Sequence, residues 1–106
     1  MSDQKKKDRL IEEQLLEEKK LSNRIESGEL ALVKYQEMSN LIEDTAYNLG
    51  KNLEVLDKET VQLSFQKMQL DRQEMTQRTN QLLGNMNENL LQMKRKHERE
   101  REEFEK

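Results

Sequence analysis

Between Ile42 and Met93, apolar residues recur at alternating steps of three and four, and no proline interrupts them. Ile42, Ala46, Leu49, Leu53, Leu56, Thr60, Leu63, Lys67 and Leu70 form one stripe. Val61, Phe65, Met68, Arg72, Met75, Thr79, Leu82, Met86, Leu90 and Met93 form a second. Both advance at about 3.5 residues per turn, the period of a supercoiled helix. They overlap between Val61 and Leu70, offset by two positions. Two positions at ~100° each turn roughly half way round a helix. A helix here shows one apolar face early, the opposite face late and both in the middle, so it needs partners on more than one side. The pattern predicts an all-α chain whose long helices form a coiled coil, or an elongated helical bundle, with partner chains.

The partner-binding residues follow from the stripes. Ile42, Leu49, Leu53, Leu56 and Leu63 are expected to carry one face, and Phe65, Met68, Met75, Leu82 and Met86 the other. A leucine buried fully at such a face contributes ~1.5–3 kcal/mol relative to staying exposed. Lys67 and Arg72 interrupt the seams. Long basic side chains there bury their stems, keep their heads wet and select a partner with an acid opposite. That favours a hetero-oligomer with other helical subunits over a homodimer.

Composition agrees. Of 106 residues, 32% are hydrophobic and 39% charged, against ~45–50% and ~25% in a compact globular domain. So little apolar material lines a narrow seam rather than filling a thick core. Glu, Lys, Gln, Leu and Met are good helix formers, and the absence of proline separates the chain from disordered segments of similar composition. The net charge of −3 argues against nucleic acid as a partner. There is no cysteine, so no disulfide, thiol nucleophile or palmitoyl anchor. No run approaches the ~18 apolar residues of a membrane span. No secretory h-region follows Met1-Ser-Asp-Gln-Lys-Lys-Lys. The default location is the cytoplasm, with membrane association only through partners.

Along the chain, residues 1–28 read as a charged helix with a patchy stripe at Leu10, Ile11, Leu15, Leu16, Leu21 and Ile25, ending at Ser27-Gly28. Glycine costs ~1 kcal/mol inside a helix relative to alanine and suits a C-cap, so either a tight turn or a weak point is expected there. Residues 29–93 read as the interaction helix, with Asn40 and Glu43 matching a capping box and soft points at Gly50 and Gly84. Three asparagines close to Gly84 predict a weakened helix or kink. Residues 94–106 read as a solvated end that leaves the bundle and frays, braced by i,i+4 pairs such as Lys96/Glu100.

No catalytic set is visible. His97 is the sole histidine; in its charged run it is expected to face solvent. Three scattered glycines make no phosphate loop, and no calcium-loop spacing occurs. No cofactor or metal is expected, and the chain reads as an interaction subunit rather than an enzyme.

Lys34-Tyr-Gln-Glu-Met38, followed by Ala46, Asn48, Leu49, Gly50, Lys51, Asn52, Leu53 and Leu56, resembles subunit 2 of the biogenesis of lysosome-related organelles complex. The resemblance covers residues 30–63. It implies an all-helical, non-catalytic subunit of an elongated hetero-oligomer acting in endosome and lysosome trafficking, on the cytosolic face of those organelles. Two rival readings are a homodimeric coiled coil of a cytoskeletal, kinetochore or motor assembly, and a SNARE-like fusion helix suggested by Leu56-Asp57 with Gln62-Leu63.

Overall fold

A helix rich in good helix formers needs a start, a stop and a face to bury. Ser2 supplies a start: its side-chain oxygen accepts from the Lys5 backbone N–H at 3.4 Å, the geometry of an N-cap. Asp3 in the first turn complements the helix dipole, as Lys51 does in the last. The computed structural model describes residues 2–52 and 58–105. They form two helices, α1 over Asp3–Asn52 and α2 over Lys58–Glu105, with no strand among the described residues.

The described residues fall into two units, one of Met1–Gly28 with Leu82–Lys106 and one of Glu29–Gln81. Each pairs a segment of α1 with a segment of α2. In the first unit Gln14 meets His97, and Gly28 meets Leu83. In the second, Glu43 meets Arg72, Tyr47 meets Phe65, and Gly50 meets Val61. Partner numbers fall as residue numbers rise, so both pairings are antiparallel.

This corrects the expectation of one continuous helix over 29–93. Helix α1 is described as far as Asn52 and α2 from Lys58, and their segments pair antiparallel; the expected helical run over 53–57 lies outside the described residues. Conversely, all three glycines are helical and none has a positive φ. Ser27-Gly28 therefore makes no turn, and the Asn40/Glu43 match caps nothing, since both lie inside α1. At Gly28 the reason is packing: a Cβ would stand 2.8 Å from Leu83 Cδ2. The missing side chain lets Leu83, itself buried, close onto the α1 backbone. Near Gly84, Asn87 donates its side-chain N–H to the Leu83 carbonyl at 3.0 Å. The helix continues through this stretch with the Asn87 donor satisfied locally.

Candidate functional site

In the second unit the seam on α1 runs through Leu32, Gln36, Ser39, Glu43, Ala46 and Gly50, all half-buried. On α2 it runs through Val61, Phe65, Met68, Arg72, Thr76 and Thr79. The second stripe of the sequence is thus used within the chain as far as Arg72. Beyond it, Thr76 replaces Met75 and, in the first unit, Leu83 replaces Leu82, while Thr79, Met86, Leu90 and Met93 stay in the seams.

Arg72 meets its acid in the same chain, with Glu43 Oε2 3.6 Å from the guanidinium. The acidic partner expected on another subunit is intramolecular. Tyr47 packs edge-on against Phe65 at 6.3 Å between ring centroids, with the Lys51 ammonium 4.9 Å from the Tyr47 ring centroid. Phe65, Met68, Ala46, Leu49, Gly50 and Val61 line an open apolar groove of about 290 Å³. That lies at the bottom of the ~300–1,000 Å³ range of ligand pockets. It suits an inserted side chain better than a cofactor.

The partner-binding residues read from the sequence are placed as follows. Phe65, Met68 and Met86 are half-buried in the intrachain seams. Ile42, Leu49, Leu63, Met75 and Leu82 are exposed. Leu53 and Leu56 lie outside the described residues. The exposed members of α1 belong to a second row. Ala31, Tyr35, Met38, Ile42 and Leu49 each directly precede a seam residue, which places them ~100° around the helix from the seam. Tyr35 is half-buried; Met38, Ile42 and Leu49 are 63%, 53% and 56% exposed.

The first unit buries different chemistry. Gln14 and His97 are buried, with 3% and 5% of their surface exposed. This overturns the solvent-facing reading of His97. Residues 94–105 belong to α2, and they carry this buried ring into the pairing with α1 instead of fraying from it. Gln14 donates to the His97 carbonyl at 3.3 Å and to Glu100 at 3.0 Å, and accepts from Arg101 Nε at 2.7 Å. The imidazole lies between two carboxylates, Nδ1 3.0 Å from Glu18 and Nε2 3.2 Å from Glu17. The Arg101 guanidinium also reaches Glu18 at 3.9 Å.

The spacing held a signal for this cluster. Continuing the second stripe past Leu90 and Met93 by four and three reaches His97 and Glu100, and stepping back from Leu21 by three and four reaches Glu18 and Gln14. A composition-weighted reading passes over polar residues at seam positions. Beyond the cluster, Lys7 donates to exposed Glu105; that hydrogen bond first, and the ammonium charge second, hold the carboxyl below the usual carboxylate range. Among the described residues no group of His, Asp and Glu is arranged to hold a metal ion, and no helix is long and apolar enough to cross a membrane.

Comparison with protein-family models, with curated proteins and with solved structures finds no match to the chain.

Proposed function

We propose that the chain is a non-enzymatic scaffold subunit that joins helices of other proteins into a hetero-oligomeric assembly. The trafficking machinery of endosomes and lysosomes is its setting, as the resemblance of residues 30–63 implies. The observation that carries the reading is the row Met38, Ile42 and Leu49. It repeats at helical spacing beside a seam already occupied within the chain, and more than half of each residue is exposed. A single exposed leucine is ordinary, but a periodic row is the anchor pattern of a helix laid against another helix. The groove beside it, which Leu49 also lines, would take a knob from the incoming helix. Association with membranes follows through those partners, since the row is flanked by no basic run of lipid-binding length.

The test is Ile42→Asp combined with Leu49→Asp. Both side chains lie off the intrachain seam, so circular dichroism of the variant should match that of the native chain. Helical partners recovered with the native chain should be lost, because each substitution removes ~1.5–3 kcal/mol of burial and adds a charge to be desolvated. Partners recovered equally with both chains would rule out this row as the docking face.

A further inference from the structure

The chain has six methionines and no cysteine, so thioethers are the only sulfur an oxidant meets. Met1 lies outside the described residues, and Met68, Met86 and Met93 are half-buried in the intrachain seams. Met38 and Met75 differ: 63% and 49% of their surface is exposed. Their places in the second unit match. The apolar groove is lined by Leu49 on α1 and by Ser64 on α2. Met38 stands eleven residues before Leu49, and Met75 eleven residues after Ser64. Eleven residues at ~100° each close about three turns, so each methionine lies on the same side of its helix as that groove residue. The helices run antiparallel here, so both steps go the same way along the unit and cover ~16 Å. Met38 and Met75 therefore stand level with one another on the face that carries Ile42 and Leu49, one from each helix. Glu43, five residues after Met38, meets Arg72, three residues before Met75, which agrees with that level.

We propose that Met38 and Met75 form a paired oxidation site through which a hydroperoxide switches off helix docking. The inference rests on the reading of Met38, Ile42 and Leu49 as a docking row. The peroxide transfers one oxygen to the thioether sulfur. Its O–O bond breaks, an S–O bond forms, the sulfur gives up an electron pair, and the peroxide leaves as water or an alcohol. The sulfoxide is polar, so a helix laid over it must desolvate an oxygen that an apolar stripe cannot pair. Sulfoxide reductases reverse the step, a dithiol supplying the electrons and the oxygen leaving as water. Exposure directs the reagent: the two exposed thioethers react ahead of the three in the seams. Both lie off the seam, so their oxidation leaves the pairing of α1 with α2 intact. A docked helix covers both sulfurs, so docking and oxidation exclude each other.

The test treats the chain with dilute hydrogen peroxide and follows each methionine by peptide mass. Met38 and Met75 should gain one oxygen before Met68, Met86 and Met93, with the circular dichroism unchanged. Docking is read with a synthetic amphipathic helix that carries leucine along its heptad seam. The oxidised chain should bind it about tenfold more weakly or worse, the effect of losing one buried methionine. A chain carrying Met38→Leu and Met75→Leu should bind it equally before and after peroxide. Seam methionines that oxidise as fast, binding that peroxide leaves unchanged, or an equal loss from the double-leucine chain would each overturn the proposal. Ile42→Asp with Leu49→Asp separates this inference from the docking row beneath it. Binding that those substitutions abolish and peroxide spares would remove the oxidation site and leave the row standing. A native chain that never binds the synthetic helix would overturn both.

Discussion

The two units solve the same packing problem with opposite materials. The first buries polar groups: Gln14 and His97 sit among Glu18, Glu100 and Arg101, with Ile25 and Leu83 as the buried apolar residues. The second has no buried residue among those described, yet exposes Leu30, Val33, Met38, Leu41, Ile42, Leu49, Leu63 and Leu70. A buried polar network is worth little as raw stability, since desolvation offsets most of its attraction. It does penalise every register that leaves a member unpaired, and all buried polar side-chain atoms among the described residues have a partner. The second unit has no such network among its described residues, and its seam is only half-buried. The contrast is one of burial: polar groups fix the register in the first unit, and the second holds together with no buried side chain among those described.

The largest effect expected from this contrast comes at Leu83. Leu83→Ala empties a buried position that closes on Gly28, and should cost ~2–5 kcal/mol. Leu63→Ala, at a residue 61% exposed in the second unit, should stay within ~0.5 kcal/mol. Hydrogen exchange read segment by segment checks both, because the loss at Leu83 should appear in residues 3–28 and 82–105 first. Comparable losses from the two substitutions would abolish the distinction between the units.

Next in size is His97→Leu. The ring's two nitrogens leave Glu17 and Glu18, and Glu18, the more buried, keeps only Arg101 at 3.9 Å. The expected cost is ~1–3 kcal/mol by thermal denaturation. The apolar swap Met68→Leu in the second unit should cost less than ~1.5 kcal/mol. A neutral outcome for His97→Leu would mean that the polar network does not hold the register.

Much of this was legible in the residues. An all-α chain follows from the absence of proline and the sustained spacing, and stripe residues Val61, Phe65, Met68, Arg72, Met86, Leu90 and Met93 do line the seams. The antiparallel pairing of α1 with α2 was not legible, because the three–four apolar rhythm runs unbroken from Leu49 to Leu63 in the sequence. The glycines misled for the converse reason: at Gly28 a tertiary contact rewards the missing side chain. Glu43 as the acid for Arg72 was hidden because sequence gives a seam its positions but not its partner. His97 was hidden because a charged neighbourhood in the sequence does not say which of its members faces the other helix.

Gly84 and Gly28 turn that lesson into a smaller measurement inside the first unit. Both are helical with no positive φ, but a Cβ at Gly84 meets nothing within 4 Å. Gly84→Ala should therefore stabilise by ~0.4–1 kcal/mol through the unfolded chain. Gly28→Ala should not show that gain, since Leu83 Cδ2 must first move aside. A pair of melting temperatures decides it. An equal rise for both would mean that Leu83 does not close onto the α1 backbone.

The smallest effect tests whether the register reaches the ends of the first unit. Lys7 holds the Glu105 carboxyl below the usual carboxylate range, by a hydrogen bond and by its charge. A carboxyl lowered in the folded chain contributes stability above its ordinary pKa, and that contribution is lost as pH falls through the lowered value. Because Glu105 is exposed, the energy is slight and the titration itself is the better observable. Lys7→Met should let the Glu105 carboxyl return upward, read by its side-chain resonance in an NMR titration. Added salt should do the same in the native chain, since exposed pairs are screened. A Glu105 titration indifferent to Lys7→Met would mean that residues 7 and 105 do not meet, and the register of the first unit would then rest on its inner pairs alone.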